Sequence, residues 1–181
     1  PSLWMEFFRP RYARIFDAVH EAGWHIWFHS DGVITSILGP LIDIGLDAIQ
    51  LVQPRLLGIE AIGQEFRGRV CFESLCDIQR TLPCASGEEI RAEAGLLLQH
   101  FGTPEGGFVL TVDESDAKDL GYAERIPTML QAFAELDPWF AEHAPEGWIE
   151  QRQTAMQLMQ RDAELQEVVQ LVGPDALQDN E

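Results

Sequence analysis

The side chains with the strongest claim to chemistry fall at four places. His29, Ser30 and Asp31 sit in HIWFHSDG, Gln53 in QLVQP, Glu73 and Asp77 in CFESLCD, and Asp113 and Glu114 in LTVDE. Each group closes a short apolar run. One imidazole and several carboxylates suit proton transfer, or the binding of a metal ion through nitrogen and oxygen. His29-x-Asp31 with a carboxylate from another segment would give three protein ligands and an open position, the pattern of a catalytic zinc. Glu73 follows directly on an apolar run, where a carboxylate needs a partner to offset its lost hydration. Capping is the competing reading for Ser30, Asp31 and Asp113, whose side-chain oxygens could accept backbone N–H groups at a helix start. His20 and His25 read as packing or surface residues. Cys71 and Cys76 read as small buried side chains.

Positioning these groups requires strands that end together. Tyr12, Ile15, Phe16 and Val19 recur at helical spacing before Gly23, which predicts a helix over 11–22. WHIWFH (24–29) has the length and bulk of a strand. Ile34, Ile37, Leu38 and Leu41 then share one helix face ahead of Gly45. DAIQLV (47–52), VCFE (70–73) and GGFVLTV (106–112) read as three more strands, with helices at 58–66 and 124–135. Ser86 and Glu89 form a capping box for a helix whose Ile90, Ala94, Leu97, Leu98 and Phe101 make one apolar face. Four strands alternating with helices predict an α/β fold with a parallel sheet covered on both faces. In such folds polar groups at the C-terminal strand ends share one mouth.

Composition limits what the mouth can serve. The formal charge is −18 and Lys118 is the one lysine, which argues against nucleic-acid binding. No apolar run reaches the length of a bilayer span, and PSLWMEFFRPRYARIF lacks the order of a signal peptide, so a cytoplasmic protein off the membrane is expected. Cys71, Cys76 and Cys84 form no CxxC pair and read as reduced thiols. HExxH, GxSxG, a GxGxxG after a strand and GxxxxGK[ST] are all absent from the sequence. Acidity rises toward the C-terminus. Residues 136–181 carry ten acidic and two basic side chains, against twenty and ten in 1–135, which marks a boundary near Glu135.

Over about 1–134, PRYARIFDAVHEAGWHIWFHSDGVITSILGPLIDIGLDAIQLVQP and GRVCFESLCDIQRTLPCASGEEIRAEAGLLLQHFGTPEGGFVLTVDE resemble the C-terminal half of the uroporphyrinogen decarboxylase superfamily. That resemblance implies about four βα units of a (β/α)8 TIM barrel, a partial barrel over 1–135. It implies cobalamin-dependent methyl transfer or demethylation, with decarboxylation of a porphyrinogen as the alternative. His29 would be a zinc ligand, and Asp31 stands where the methyltransferases carry a thiolate. Glu114 would complete the metal site, in place of a cysteine or histidine. Asp77 in LCDIQRTLP matches a family aspartate, and Asp77, Glu73 and Asp113 would face a small-molecule substrate. The implied partners are a corrinoid, as co-substrate or on a carrier protein, and a second copy in a homodimer that covers exposed sheet edges.

Residues 136–181 resemble something else. The run RDAELQEVVQLVGPDAL is similar to the C-terminal helical region of the catalytic A subunit of V-type and archaeal-type rotary ATPases. Its apolar stripe of Ala155, Leu158, Met159, Leu165, Val168 and Val172 predicts an amphipathic helix over 147–172, closed by Gly173-Pro174. Without a phosphate-binding loop this segment implies no ATPase activity. The third expectation is therefore a catalytically inert fragment, or a fusion carrying an ATPase-derived assembly helix. The N-terminal proline agrees with a piece of a longer chain.

Overall fold

Alternation of apolar strands with amphipathic helices produces four βα units, as expected. A computed structural model describes residues 2–112 and 114–136 together with Gly147, Glu150 and Thr154, and for 114–116 the backbone alone. Asp113 and the bulk of the helix expected over 147–172 lie outside the described residues. A wide π-helical turn at Trp4–Phe8 leads into α1 (Arg9–Glu21), β1 (Trp27–His29) and α2 (Thr35–Ile42). Next come β2 (Ala48–Leu51), the short α3 (Pro54–Leu57), α4 (Ile59–Phe66) and β3 (Cys71–Ser74). The short α5 (Thr81–Cys84) and long α6 (Gly87–Phe101) precede β4 (Phe108–Leu110), α7 (Glu114–Asp119) and α8 (Ile126–Ala134). Gly23 and Gly45 follow α1 and α2 at φ values of 78° and 99°, the left-handed turn their positions predict.

All strand pairs are parallel and neighbours in sequence are neighbours in space, in the order β1-β2-β3-β4. Right-handed crossovers that always step the same way put every connecting helix on the same side. The aromatic contacts record that side. Phe28, Phe72 and Phe108 lie in one row across the sheet, with Ile49 between Phe28 and Phe72. Phe28 packs edge-on against Tyr12 of α1, Phe72 stacks on Phe101 of α6 at 4.2 Å, and Phe108 stacks on Phe133 of α8 at 5.8 Å.

The adjacent row, His29-Gln50-Glu73-Val109, points to the opposite face. Trp27, His29 and Val109 are exposed there, so among the described residues the sheet is covered on one face. This corrects the expectation of cover on both. The sequence signal failed because β1 and β4 are only three residues long, too short for a second exposed face to register as alternation.

Burial on the helical side is dense. Ile90, Ala94, Leu97, Leu98 and Phe101 of α6 are all buried, as their spacing predicts. The Ser86–Glu89 capping box forms in both directions. Helix α4 approaches α6 so closely that a Cβ on Gly63 would lie 2.5 Å from the His100 carbonyl oxygen. Ile15 departs from its expected place in the core and is exposed on the outer side of α1.

Candidate functional site at the strand tips

The C-terminal ends of all four strands open onto a cleft of about 720 Å³, between the tip of β1 and the segment after β4. His29 and Asp31 form one wall, with His29 Nε2 3.5 Å from Asp31 Oδ2. Neither Ser30 nor Asp31 caps α2, whose first residue is preceded by Ile34 without a side-chain hydrogen bond. The capping alternative for those two residues therefore falls, and Asp31 is left exposed at the cleft mouth.

Gln50 and Glu73 make the floor of the open face. Gln50 Nε2 donates to Glu73 Oε1 at 2.8 Å across the β2–β3 register, giving the buried Glu73 the partner that its depth demands. Cys71, on the same strand, has its thiol pushed up by burial and by the negative charge of Glu73.

Asp77 is buried and spends its carboxylate on the backbone. Oδ1 accepts the N–H groups of Gln79 and Arg80 at 2.9 Å each, and Oδ2 accepts that of Arg55 at 3.3 Å. It thereby shapes the loop that carries Gln79 into the cleft. The sequence placed Asp77 at the strand mouth but held no sign that its oxygens were so fully committed.

Sequence reasoning missed the group that ties this region together. Glu93 in the middle of α6 is fully buried and accepts a hydrogen bond from the Asp77 backbone N–H at 2.6 Å, from Thr81 Oγ1 at 2.5 Å and from Arg55 Nε. Glu93 holds the Arg55 guanidinium above its ordinary value, through that hydrogen bond first and then through charge. Because Arg55 belongs to α3, after β2, and Thr81 to α5, after β3, one carboxylate fixes two tips of the mouth. A signal existed: Glu93 falls on the same helical stripe as Ile90 and Leu97. Cys76 lies beside the network with its Sγ 3.6 Å from the Ile90 carbonyl, and its thiol is pushed up by burial and by Glu93.

A zinc reading finds two donors. His29 and Asp31 are adjacent, but no group of three His, Cys, Asp or Glu able to hold a metal occurs among the described residues. The tips of β1 and β4, which lead to His29 and Glu114, are three strand spacings apart, about 14 Å. The side chain of Glu114 as the third ligand lies outside the described residues.

Likeness to known proteins lies in the tail. Residues 137–181 match the family model of the C-terminal domain of V and A type ATP synthase. The A subunit of the A-type ATP synthase of Haloquadratum walsbyi is 51% identical over 47 residues, covering 26% of this chain and 8% of that protein. Its counterpart in Haloferax volcanii is 49% identical over 47 residues, with the same coverage. The Methanococcus maripaludis protein is 56% identical over 43 residues, 24% of this chain and 7% of its own. The chain thus spans less than a tenth of the length of these curated relatives. No solved structure matches it.

These findings bear out the reading of the tail and overturn the other. The expectation of a uroporphyrinogen decarboxylase or corrinoid methyltransferase, with cobalamin or a porphyrin as its ligand, is corrected: the similarity found is to the A subunit of ATP synthase. Parallel βα units with polar strand tips are common to many activities, so their rhythm and a single His-x-Asp pair do not select one.

Proposed function

We propose that residues 137–181 act as an assembly segment, of the kind represented by the C-terminal domain of V and A type ATP synthase, joined near Glu135 to an α/β unit that hydrolyses no ATP. The match of 137–181 to that domain carries the reading. The absence of GxxxxGK[ST] from these 181 residues supports the second half, since Lys118 lies between Ala117 and Asp119. The partner is then a protein surface of an ATP synthase type complex.

Native mass spectrometry tests this. The full chain is mixed with Methanococcus maripaludis A-type ATP synthase whose A subunit lacks its C-terminal domain. Association is expected, and should be lost in a Leu165→Asp/Val168→Asp variant. Failure to associate contradicts the proposal.

The α/β unit itself is read as an arc of a (β/α)8 barrel. Consecutive parallel order and helices on one face support that reading, since both are what a closing barrel needs. The strand-tip cleft supports a second reading, as a site for a small polar molecule held between His29, Asp31 and the loops that Asp77 and Glu93 position. Ligand-observed NMR with a fragment set should give hits that disappear in Gln79→Trp, which fills the mouth. Hits that persist in that variant place binding elsewhere.

A further inference from the structure

We propose that the strand-tip cleft takes a neutral polyhydroxylated molecule of monosaccharide to disaccharide size, an inference that rests on reading the cleft as a small-molecule site. Charge narrows the class first. Among the described residues that line it there is no lysine or arginine, while Asp31 and Asp119 are acidic and the chain as a whole carries −18. His29 on the wall already stands 3.5 Å from Asp31, so a phosphate or carboxylate would enter that field with no lysine or arginine to receive it.

Hydrogen-bonding capacity narrows it further. Gln53, Gln79 and Thr111 reach the cleft, and among the described residues their side chains make no intramolecular hydrogen bond. Carboxamides and hydroxyls both donate and accept, which is what the hydroxyl groups of a polyol require of a partner. Leu75, Ile78 and Leu120 supply apolar wall between these groups, a fit for the C–H faces of a sugar ring. The seat is held in place before binding. Asp77 accepts the Gln79 N–H, Ile78 N–H donates to the Val52 carbonyl at 3.3 Å, and Glu93 joins the two loops behind them. A volume of about 720 Å³ lies within the range of roughly 300–1,000 Å³ common for small-molecule sites.

Saturation-transfer NMR on the full chain tests the class with named probes: D-glucose, D-galactose, maltose, glucose 6-phosphate and 1,4-diaminobutane. Transfer to at least one neutral sugar is expected, with little to the phosphate. Affinity should weaken by about fivefold for each carboxamide removed in Gln53→Leu and Gln79→Leu. Thr111→Val, which keeps the shape of the side chain, gives an independent variant should either glutamine change disturb folding. Equal transfer to glucose 6-phosphate overturns the proposal. Transfer to diaminobutane alone, lost in Asp31→Asn, overturns the sugar class and keeps the cleft as a site. No transfer to any probe overturns both.

Discussion

Two carboxylates tie loops together at opposite ends of the sheet, and they differ chiefly in water. At the strand tips Glu93 is fully buried and joins Arg55, Thr81 and the Asp77 backbone. At the other end Asp47 is about a third exposed. Its Oδ2 accepts the Ile26 N–H at 2.7 Å and meets His20 Nε2 at 2.8 Å, while His25 Nδ1 stands 3.6 Å from Oδ1. The chemistry is alike and the dielectric is not. A buried charge that loses its partners has no solvent to turn to, whereas an exposed one is rehydrated. The tip therefore gains a rigid mouth, and the base gains a modest, pH-dependent tether.

The largest effect should come from breaking the buried end. Arg55→Ala strands the fully buried Glu93 charge and should cost about 3–5 kcal/mol in urea denaturation. Glu93→Ala should come close to it, because the Asp77 N–H and the Thr81 hydroxyl lose their acceptor while the half-exposed Arg55 is rehydrated. Replacing both by apolar residues, Glu93→Leu with Arg55→Met, should recover much of the loss; no recovery would mean that the network is more than a matched pair.

The exposed end should yield less. Asp47→Asn keeps the shape and should cost about 1 kcal/mol, discounted for exposure. Gly45→Ala tests the same tether from beneath. Its Cβ would meet His20 Cε1 at 2.8 Å, on a backbone at φ 99°, so a loss of about 1–2 kcal/mol is expected by thermal melting.

Acid should act on this end also. Burial pushes the Asp47 carboxyl up, but the Ile26 N–H and His20 together outweigh it and hold the group below its ordinary value of 3.8. Its folded pKa is the lower one, so its contribution is full above the unfolded value and fades as pH falls through the folded value. Wild type and Asp47→Asn should differ in stability at about pH 6 and converge toward about pH 2. The smallest effect expected is of salt: raising ionic strength should shrink the penalty of His20→Ala, itself about 0.2–1 kcal/mol, and leave that of Glu93→Ala unchanged.

Sequence patterning carried the helices well, because α6 announces itself through both its capping box and its stripe of Ile90, Ala94, Leu97 and Leu98. Strands were located but their faces were not. Phe28 and Phe108 look like their exposed neighbours Trp27 and Val109 until the register shows which row meets the helices. At the site, His29 and Asp31 could be paired from spacing alone, since two residues apart on one chain they stay close. Gln50 with Glu73, and Glu93 with Arg55, are separated by 23 and 38 residues and meet only through the fold. The short helices α3 and α5 were not foreseen either, and they are what bring Arg55 and Thr81 to Glu93. Family wording misled over the α/β unit and served over the tail, where a continuous run rather than scattered motifs carried the likeness.

The assembly role of the tail is tested most directly by isothermal titration of the full chain into A-type ATP synthase whose A subunit lacks its C-terminal domain. Saturable one-to-one binding, abolished by Leu165→Asp/Val168→Asp while the α/β unit keeps its melting temperature, is the predicted result. No heat of binding, or binding that survives that double change, would contradict the account.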